Sequence, residues 1–116
     1  MTRRIPPVRR LLMDAKALIA RPENWCKGVL ARSVNNRHTD VFSQKAFRFC
    51  GMGAVWRAAG SFESPSYAAE AIKCLADGFD QDRYVLGAFN DAPETTHRDI
   101  MRLFNRAIKR AKEQLI

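Results

Sequence analysis

The stretch FNDAPETTHRDIMRLFNRAIKR, residues 89–110, decides the fold because it fixes which side of a helix is buried. Its apolar residues recur at helical spacing and, continued to the C-terminus, lie within about one third of a helical wheel. They are Ile100, Phe104, Ala107, Ile108, Ala111 and Leu115. The opposite side carries the basic residues Arg98, Arg102, Arg106 and Lys109. The pattern predicts an amphipathic helix with an inward apolar face and an outward basic face.

The polar residues ahead of this helix are typical of a helix cap. Thr96 with Asp99, or Asp91 with Glu94, has the spacing of a capping box, in which two side chains bond to free backbone amides of the first turn. His97 falls on the inward side of the wheel near the start of the helix. We therefore expect its imidazole to be partly buried.

The first third of the chain contains one clear helix and several shorter segments. Apolar residues recur at helical spacing over residues 8–19, and residues 22–25 fit a helical turn that begins with proline. Residues 28–33, GVLARS, fit either a short extended piece or a half-turn of helix. Residues 34–40, VNNRHTD, fit a polar turn with His38 exposed.

A second long helix is predicted over residues 43–59, with Ser43 as its N-cap and Gly60 as its stop. Its apolar residues cover both sides of a helical wheel, and a helix that is apolar all round is normally buried. Gly51 and Gly53 allow a neighbour to approach closely, at a propensity cost of about 1 kcal/mol each. We expect this helix to lie at the centre of the core.

Two further elements complete the pattern. Ser64-Pro65 combines an N-cap with proline at the first helical position, and apolar spacing continues through residues 68–76 to a stop at Gly78. The apolar run YVLGAF, residues 84–89, fits a buried strand or a single buried helical turn.

These elements predict a mostly all-α fold, a compact bundle of about four helices around the 43–59 helix, with a short extended pairing as an option. The length of 116 residues corresponds to about one domain, so we expect a single domain over residues 1–116, with residues 1–7 as a candidate flexible basic arm.

No apolar run approaches the roughly 20 residues of a membrane span. Asp14 and Lys16 interrupt the only run that resembles a signal peptide, so we expect a cytoplasmic protein without a membrane partner.

The net charge of +8 is unevenly distributed. Residues 1–10 contain four arginines and no acid, residues 61–94 contain seven acids against two bases, and residues 95–116 contain six bases against two acids. Arg9 and Arg10 form a second basic cluster with Arg3 and Arg4. The basic clusters create a positive electrostatic field that favours an anionic partner. The candidate partners are a nucleic acid, a nucleotide and an acidic protein surface. Without a zinc-finger, recognition-helix or RNA-binding motif, sequence-specific readout is not predicted.

The three cysteines are Cys26, Cys50 and Cys74. Their odd number and wide spacing fit neither a disulfide framework nor a CxxC pair. We expect reduced thiols.

Three strings together resemble a family of small bacterial and phage domains of unknown function. They are WCKG (25–28), FCGMGAVWRAAG (49–60) and FNDAPETTHRDIMRLFNRAI (89–108). The resemblance extends from about residue 11 to residue 110. It implies a shared mostly helical fold, a phage or mobile-element context and a set of motif residues, but no activity. The set is Trp25, Cys26, Cys50, Asn90, Asp91, Thr96 and His97.

The motif residues allow three hypotheses. A Cys/His-dependent hydrolase or transferase would use Cys26 or Cys50 as nucleophile, His97 as base and Asn90 or Asp91 as the orienting group. A zinc site would use the same cysteines with His97 and Asp91, but close ligand pairs are missing, so we predict neither a metal nor a cofactor. A structural network would pair Asn90, Asp91 and His97 by hydrogen bonds beside Trp25.

We favour a non-enzymatic binding or accessory protein over the enzyme. Its anion-binding residues would be those of the two basic clusters, Arg98, Arg102, Arg106, Lys109, Arg9 and Arg10. The oligomeric state is left open.

Overall fold

The computed structural model describes residues 4–62, 67–77 and 84–116. In that part of the chain it contains five α-helices, one 3₁₀ turn and a two-stranded sheet. In chain order these are α1 (Pro7–Leu18), the 3₁₀ turn (Pro22–Asn24), β1 (Ala31–Arg32), β2 (Arg48–Phe49), α2 (Gly51–Ala59), α3 (Ala68–Ala76), α4 (Tyr84–Asp91) and α5 (His97–Glu113). The prediction of a mostly all-α bundle with a short extended pairing is confirmed.

Helix α5 has the predicted inward face. Its buried residues are Ile100, Leu103, Phe104, Ala107 and Ala111. Of the two possible capping boxes, Thr96 with Asp99 forms: Thr96 Oγ1 accepts from Asp99 N at 3.2 Å, and Asp99 Oδ2 accepts from Thr96 N at 2.9 Å. Leu115 is 83% exposed, against the prediction, because the helix ends at Glu113 and Leu115 adopts a φ of 60° beyond it.

The N-terminal segments agree with the sequence pattern. Helix α1 buries one face against α2, α3 and α5, and the predicted helical turn is the 3₁₀ turn. In residues 28–33 the extended alternative forms, because Ala31 pairs with Phe49 and Arg32 with Arg48 in an antiparallel register. The polar segment after β1 turns back at Asn36, whose φ is 63°. Asparagine tolerates this left-handed conformation better than most residues.

The predicted start of the central helix at Ser43 is wrong. Residues 43–47 form turns, with Ser43 Oγ accepting from Lys45 N at 3.1 Å, and the next two residues form β2. Helix α2 begins at Gly51, with Cys50 as its N-cap. A helical wheel drawn over residues 43–59 therefore mixed turns and a strand with a helix, which is why it was apolar all round. Phe47, one of the apolar residues on that wheel, is 40% exposed.

Helix α2 nevertheless packs against α1, α3 and α4, and it ends at Gly60 as predicted, with a φ of 82°. Gly53 allows the expected close approach. A Cβ atom at Gly53 would collide with the backbone carbonyl of Leu30. The segment before β1 therefore crosses directly over the first turn of α2.

Helix α3 buries most of the residues of the predicted apolar spacing, while its expected cap at Ser64-Pro65 and its expected stop at Gly78 lie outside the described residues. The apolar run at residues 84–89 belongs to helix α4, in which Leu86 and Asn90 are fully buried. One cluster of buried apolar residues connects α1, α2, α3, α4 and α5 with the small sheet. In the described ranges, no helix has the length and apolar character of a membrane span.

Candidate functional site

The buried amide of Asn90 joins three separate segments of the chain. Asn90 is 1% exposed, and its Oδ1 accepts hydrogen bonds from Trp25 Nε1 at 2.8 Å and from the backbone N–H of Gly51 at 2.9 Å. Its Nδ2 donates to the carbonyl of Cys26 at 3.1 Å and to Asp91 Oδ1 at 2.9 Å. These two accepted and two donated hydrogen bonds use the full hydrogen-bonding capacity of a side-chain amide.

Asp91 extends the same network to the next residues of the loop. Its Oδ1 also accepts from the N–H of Gly28 at 2.9 Å, and Gly28 has a φ of 87°, which glycine adopts without strain. Lys27 Nζ donates to the carbonyl of Ala92 and lies 5.4 Å from the centre of the Trp25 ring. We call the set of residues 25–28, 50–51 and 90–91 the Asn90 junction.

His97 lies on another side of Trp25. Its Nε2 is 2.7 Å from the carbonyl of Ile19, and since a carbonyl only accepts, this nitrogen carries the proton. The His97 and Trp25 ring centroids are 6.1 Å apart. The imidazole is partly buried, as predicted, and ties the start of α5 to the end of α1. Among the described residues, no hydrogen bond connects His97 to either nearby cysteine or to Asp91.

Both cysteines of the Asn90 junction are buried thiols. Burial raises the pKa of Cys26 to about 11, against the lowering effect of the Arg32 and Arg48 charges. Burial also raises the pKa of Cys50, although its sulfur accepts a hydrogen bond from Gly53 N at 3.2 Å, which caps α2. Cys74 is buried in α3, and all three cysteines are free. At neutral pH these groups are neutral thiols rather than nucleophilic thiolates.

The arrangement fits the structural hypothesis better than the two chemical ones. A thiolate nucleophile requires a lowered pKa and a base in reach, whereas burial raises the pKa of both thiols. Within the part of the chain that is described, no three His, Cys, Asp or Glu side chains group closely enough to hold a metal ion. The predicted network of Asn90, Asp91 and His97 is divided in two, and Trp25 contacts both parts.

A small cleft opens beside the Asn90 junction, with a volume of about 230 Å³. Its walls are mostly backbone and apolar side chains from residues 28–30, α2 and α4. The Asn90 amide is already fully hydrogen-bonded within the protein. The cleft therefore offers few polar groups with which to orient a ligand.

The predicted basic residues of α5 are exposed along one side of the helix. We call Arg98, Arg102, Arg106 and Lys109 the α5 basic face. Three ion pairs form among the described residues, and all involve other cations: Arg10 with Asp14, Arg21 with Glu23 and Arg110 with Asp77. Glu94 and Asp99 share an open groove with two residues of this face, so its charge is partly offset there.

The second basic cluster is partly offset by an ion pair within α1. Arg10 forms an ion pair with Asp14 at 3.4 Å, which takes up part of its charge. Arg9 is half-buried, Arg4 is exposed and Arg3 lies outside the described residues. The α5 basic face is therefore the better candidate for contact with an anion.

A family model described as a family of unknown function (DUF6197) matches residues 3–110. The chain belongs to this family. The predicted membership in a family of unknown function is thus confirmed. Comparison of this DUF6197 chain with curated proteins and with solved structures finds no match.

Two features of this DUF6197 chain were not predicted from its sequence. Gly28 and Lys27 belong to the Asn90 junction, and the available indication in the sequence was a glycine that closely follows the Trp-Cys pair. Arg32 and Arg48 face each other across the small sheet, and only the register of β1 and β2 reveals this.

Proposed function

We propose that this protein is a small non-enzymatic binding or accessory protein that contacts an anionic polymer through the α5 basic face. Nucleic acid is the partner we favour among nucleic acid, nucleotide and acidic protein surface. The observation that carries the proposal is a set of four exposed cations on one helix, none of which forms an ion pair with the described residues.

The spacing of these cations supports an extended partner. Arg98, Arg102 and Arg106 are four residues apart, which corresponds to steps of about 6 Å along a helix. A mononucleotide is too small to reach several such positions, whereas a nucleic acid strand presents a phosphate at every nucleotide. Contacts of this kind position a protein on the phosphate backbone without reading its sequence.

The supporting structure is rigid where the cations are placed. The capping box fixes the start of α5, and the buried face of the helix fixes its rotation about its own axis. The basic side chains therefore project from a defined surface, so binding does not require the helix to fold first.

Charge reversal tests the proposal. The triple variant Arg98→Glu, Arg102→Glu and Arg106→Glu should elute from heparin at much lower salt than the unchanged protein and lose at least tenfold in affinity for an oligonucleotide. The matched control reverses the same number of exposed charges elsewhere, at Arg21, Lys45 and Lys73. If the two triple variants eluted from heparin at the same salt concentration and bound the oligonucleotide equally well, the assignment of the binding surface to α5 would be overturned.

The alternative function is an enzyme that uses Cys26 or Cys50 with His97, Asp91 and Asn90. The raised pKa of each thiol argues against it. Alkylation of the native protein near pH 7.5 should be slow at both sites, and rapid single-site alkylation would favour the enzyme. A cytoplasmic location and a phage or mobile-element origin stay predictions.

A further inference from the structure

The small sheet carries a row of three basic residues that the proposed function does not use. Arg32 in β1 lies directly opposite Arg48 in β2, and on its other side it forms an antiparallel bridge with His38. Residues opposite each other in antiparallel strands project to the same face. The pair next to them, Ala31 and Phe49, is buried in the core. The basic row therefore occupies the outward face of the sheet.

The position of Arg32 in the middle of the row is fixed by the backbone around it. Its Nη1 donates to the carbonyl of Asn36 and its Nη2 to the carbonyl of Lys27, each at 3.2 Å. The hairpin itself is closed by Ser33 N donating to the carbonyl of Arg37 at 2.8 Å. This guanidinium is held in place before any ligand arrives.

Among the described residues, Arg48 lacks side-chain hydrogen bonds of the kind that hold Arg32 in place. Its Nε is buried and makes no hydrogen bond with the described residues, and in the same ranges its guanidinium forms no ion pair. Its guanidinium carbon lies 5.8 Å from the centre of the Phe47 ring. Like charges directly opposite each other on a sheet are destabilising, and an anion beside both would offset this repulsion.

We propose that the outward face of the β1–β2 sheet binds a phosphate group. Arg48 would supply a paired donor fork from its two terminal nitrogens, Arg32 its remaining N–H groups, and His38 a further donor at the edge. Two guanidinium groups and a phosphate dianion balance in charge, and Arg forks match the geometry of phosphate oxygens.

This site is separate from the α5 basic face and does not rest on the proposed function. The phosphate would come from free phosphate, from a mononucleotide or from a nucleic acid backbone. All three sources present the same tetrahedral oxyanion, so the experiment compares them directly.

The test is a titration of the full chain, followed by amide and arginine Nε–H resonances, with inorganic phosphate, adenosine monophosphate and a short single-stranded oligonucleotide as three probes. Sodium chloride at equal ionic strength is the reference. We expect saturable shifts at residues 31–33, 37–39 and 47–49 with at least one probe, and the tightest probe identifies the source. Absence of saturable shifts with all three probes would overturn the proposal.

Variants separate this site from general charge attraction. Arg48→Gln should weaken phosphate binding at least tenfold, whereas Arg21→Gln, which removes an exposed charge elsewhere, should retain it. Arg48→Lys keeps the charge and removes the fork, and it serves as a second variant if Arg48→Gln does not fold. We expect Arg48→Lys to bind several-fold more weakly, and unchanged affinity in either Arg48 variant would refute the site.

Discussion

At the scale of single residues, Asn90 connects parts of the chain that are distant in sequence. Its side chain bonds to Trp25 and Cys26 near the N-terminus and to Gly51 at the start of α2. The sequence indicated that Asn90 and Asp91 form a hydrogen-bonded network. It did not indicate the partners, because hydrogen bonds between residues about 40 to 65 positions apart leave no periodic pattern.

Replacement of Asn90 should therefore destabilise the fold strongly. Asn90→Ala would leave the Trp25 indole N–H and the Gly51 amide without their acceptor, at a cost of about 3–5 kcal/mol in the free energy of unfolding. Urea denaturation measures this change. The exposed Asn105 on α5 is the matched control, and its change to alanine should alter stability by less than about 0.5 kcal/mol. A loss below about 1 kcal/mol for Asn90→Ala would contradict the role of the junction.

Two glycines give opposite expectations for the same substitution. Gly53→Ala brings a methyl group onto the carbonyl of Leu30, so the backbone has to move, and we expect a loss of about 1–3 kcal/mol. Gly87→Ala in α4 meets no atom within 4 Å and should stabilise the helix by up to about 1 kcal/mol. Thermal denaturation of the two variants measures both effects. Equal changes in stability for the two variants would contradict the close packing of the Leu30 segment over α2.

The pKa of Cys26 predicts a loss of stability in alkaline solution. Burial raises its pKa to about 11 in the folded chain from an ordinary value of 9.0, so between these values the folded state binds more protons than the unfolded state. This contribution is fully present below about pH 9 and is lost as the pH rises toward 11. Cys26→Ala should reduce the decline of the unfolding free energy in alkaline solution. An identical decline in both proteins would refute the assignment of this effect to Cys26.

At the scale of elements, long periodic segments were predictable and short ones were not. Helices α1 and α5 were identified from apolar spacing because each presents a single face to the core over 12 or more residues. The two-residue strand β2 is too short to show alternation, and the apolar residues on either side of it imitate a longer helix. The backbone hydrogen-bonding groups of this segment pair with β1 instead of forming helical bonds, and α2 starts only after β2.

The start of α5 offers a direct test at this scale. Thr96→Ala removes the acceptor for Asp99 N and should cost about 0.5–2 kcal/mol, whereas Thr96→Ser keeps the hydroxyl and should cost less. Hydrogen bonds from Thr96 lower the pKa of Asp99, so the contribution of the cap is present above the ordinary aspartate range and is lost as the pH falls. Chemical denaturation at neutral and acidic pH measures both effects, and an equal loss in the two variants would contradict the capping box.

At the scale of the whole molecule, the charge asymmetry of the sequence becomes a surface feature. The α5 basic face remains exposed, while Arg10 is paired with Asp14 and Arg110 is paired with Asp77 at the end of α3. The sequence predicted which residues of α5 face outward. The ion pairs between elements could not be predicted, because they depend on how the helices are placed side by side.

The most direct test of the account is the salt dependence of duplex DNA binding, compared between the unchanged protein and the neutralised variant Arg98→Gln, Arg102→Gln and Arg106→Gln. Each lost phosphate contact should reduce the slope of log affinity against log salt by about 0.9, so we expect a reduction of about 2–3. The control that neutralises Arg21, Lys45 and Lys73 should keep the original slope. An unchanged slope in the α5 variant, or no measurable binding by the unchanged protein at low salt, would contradict the central claim.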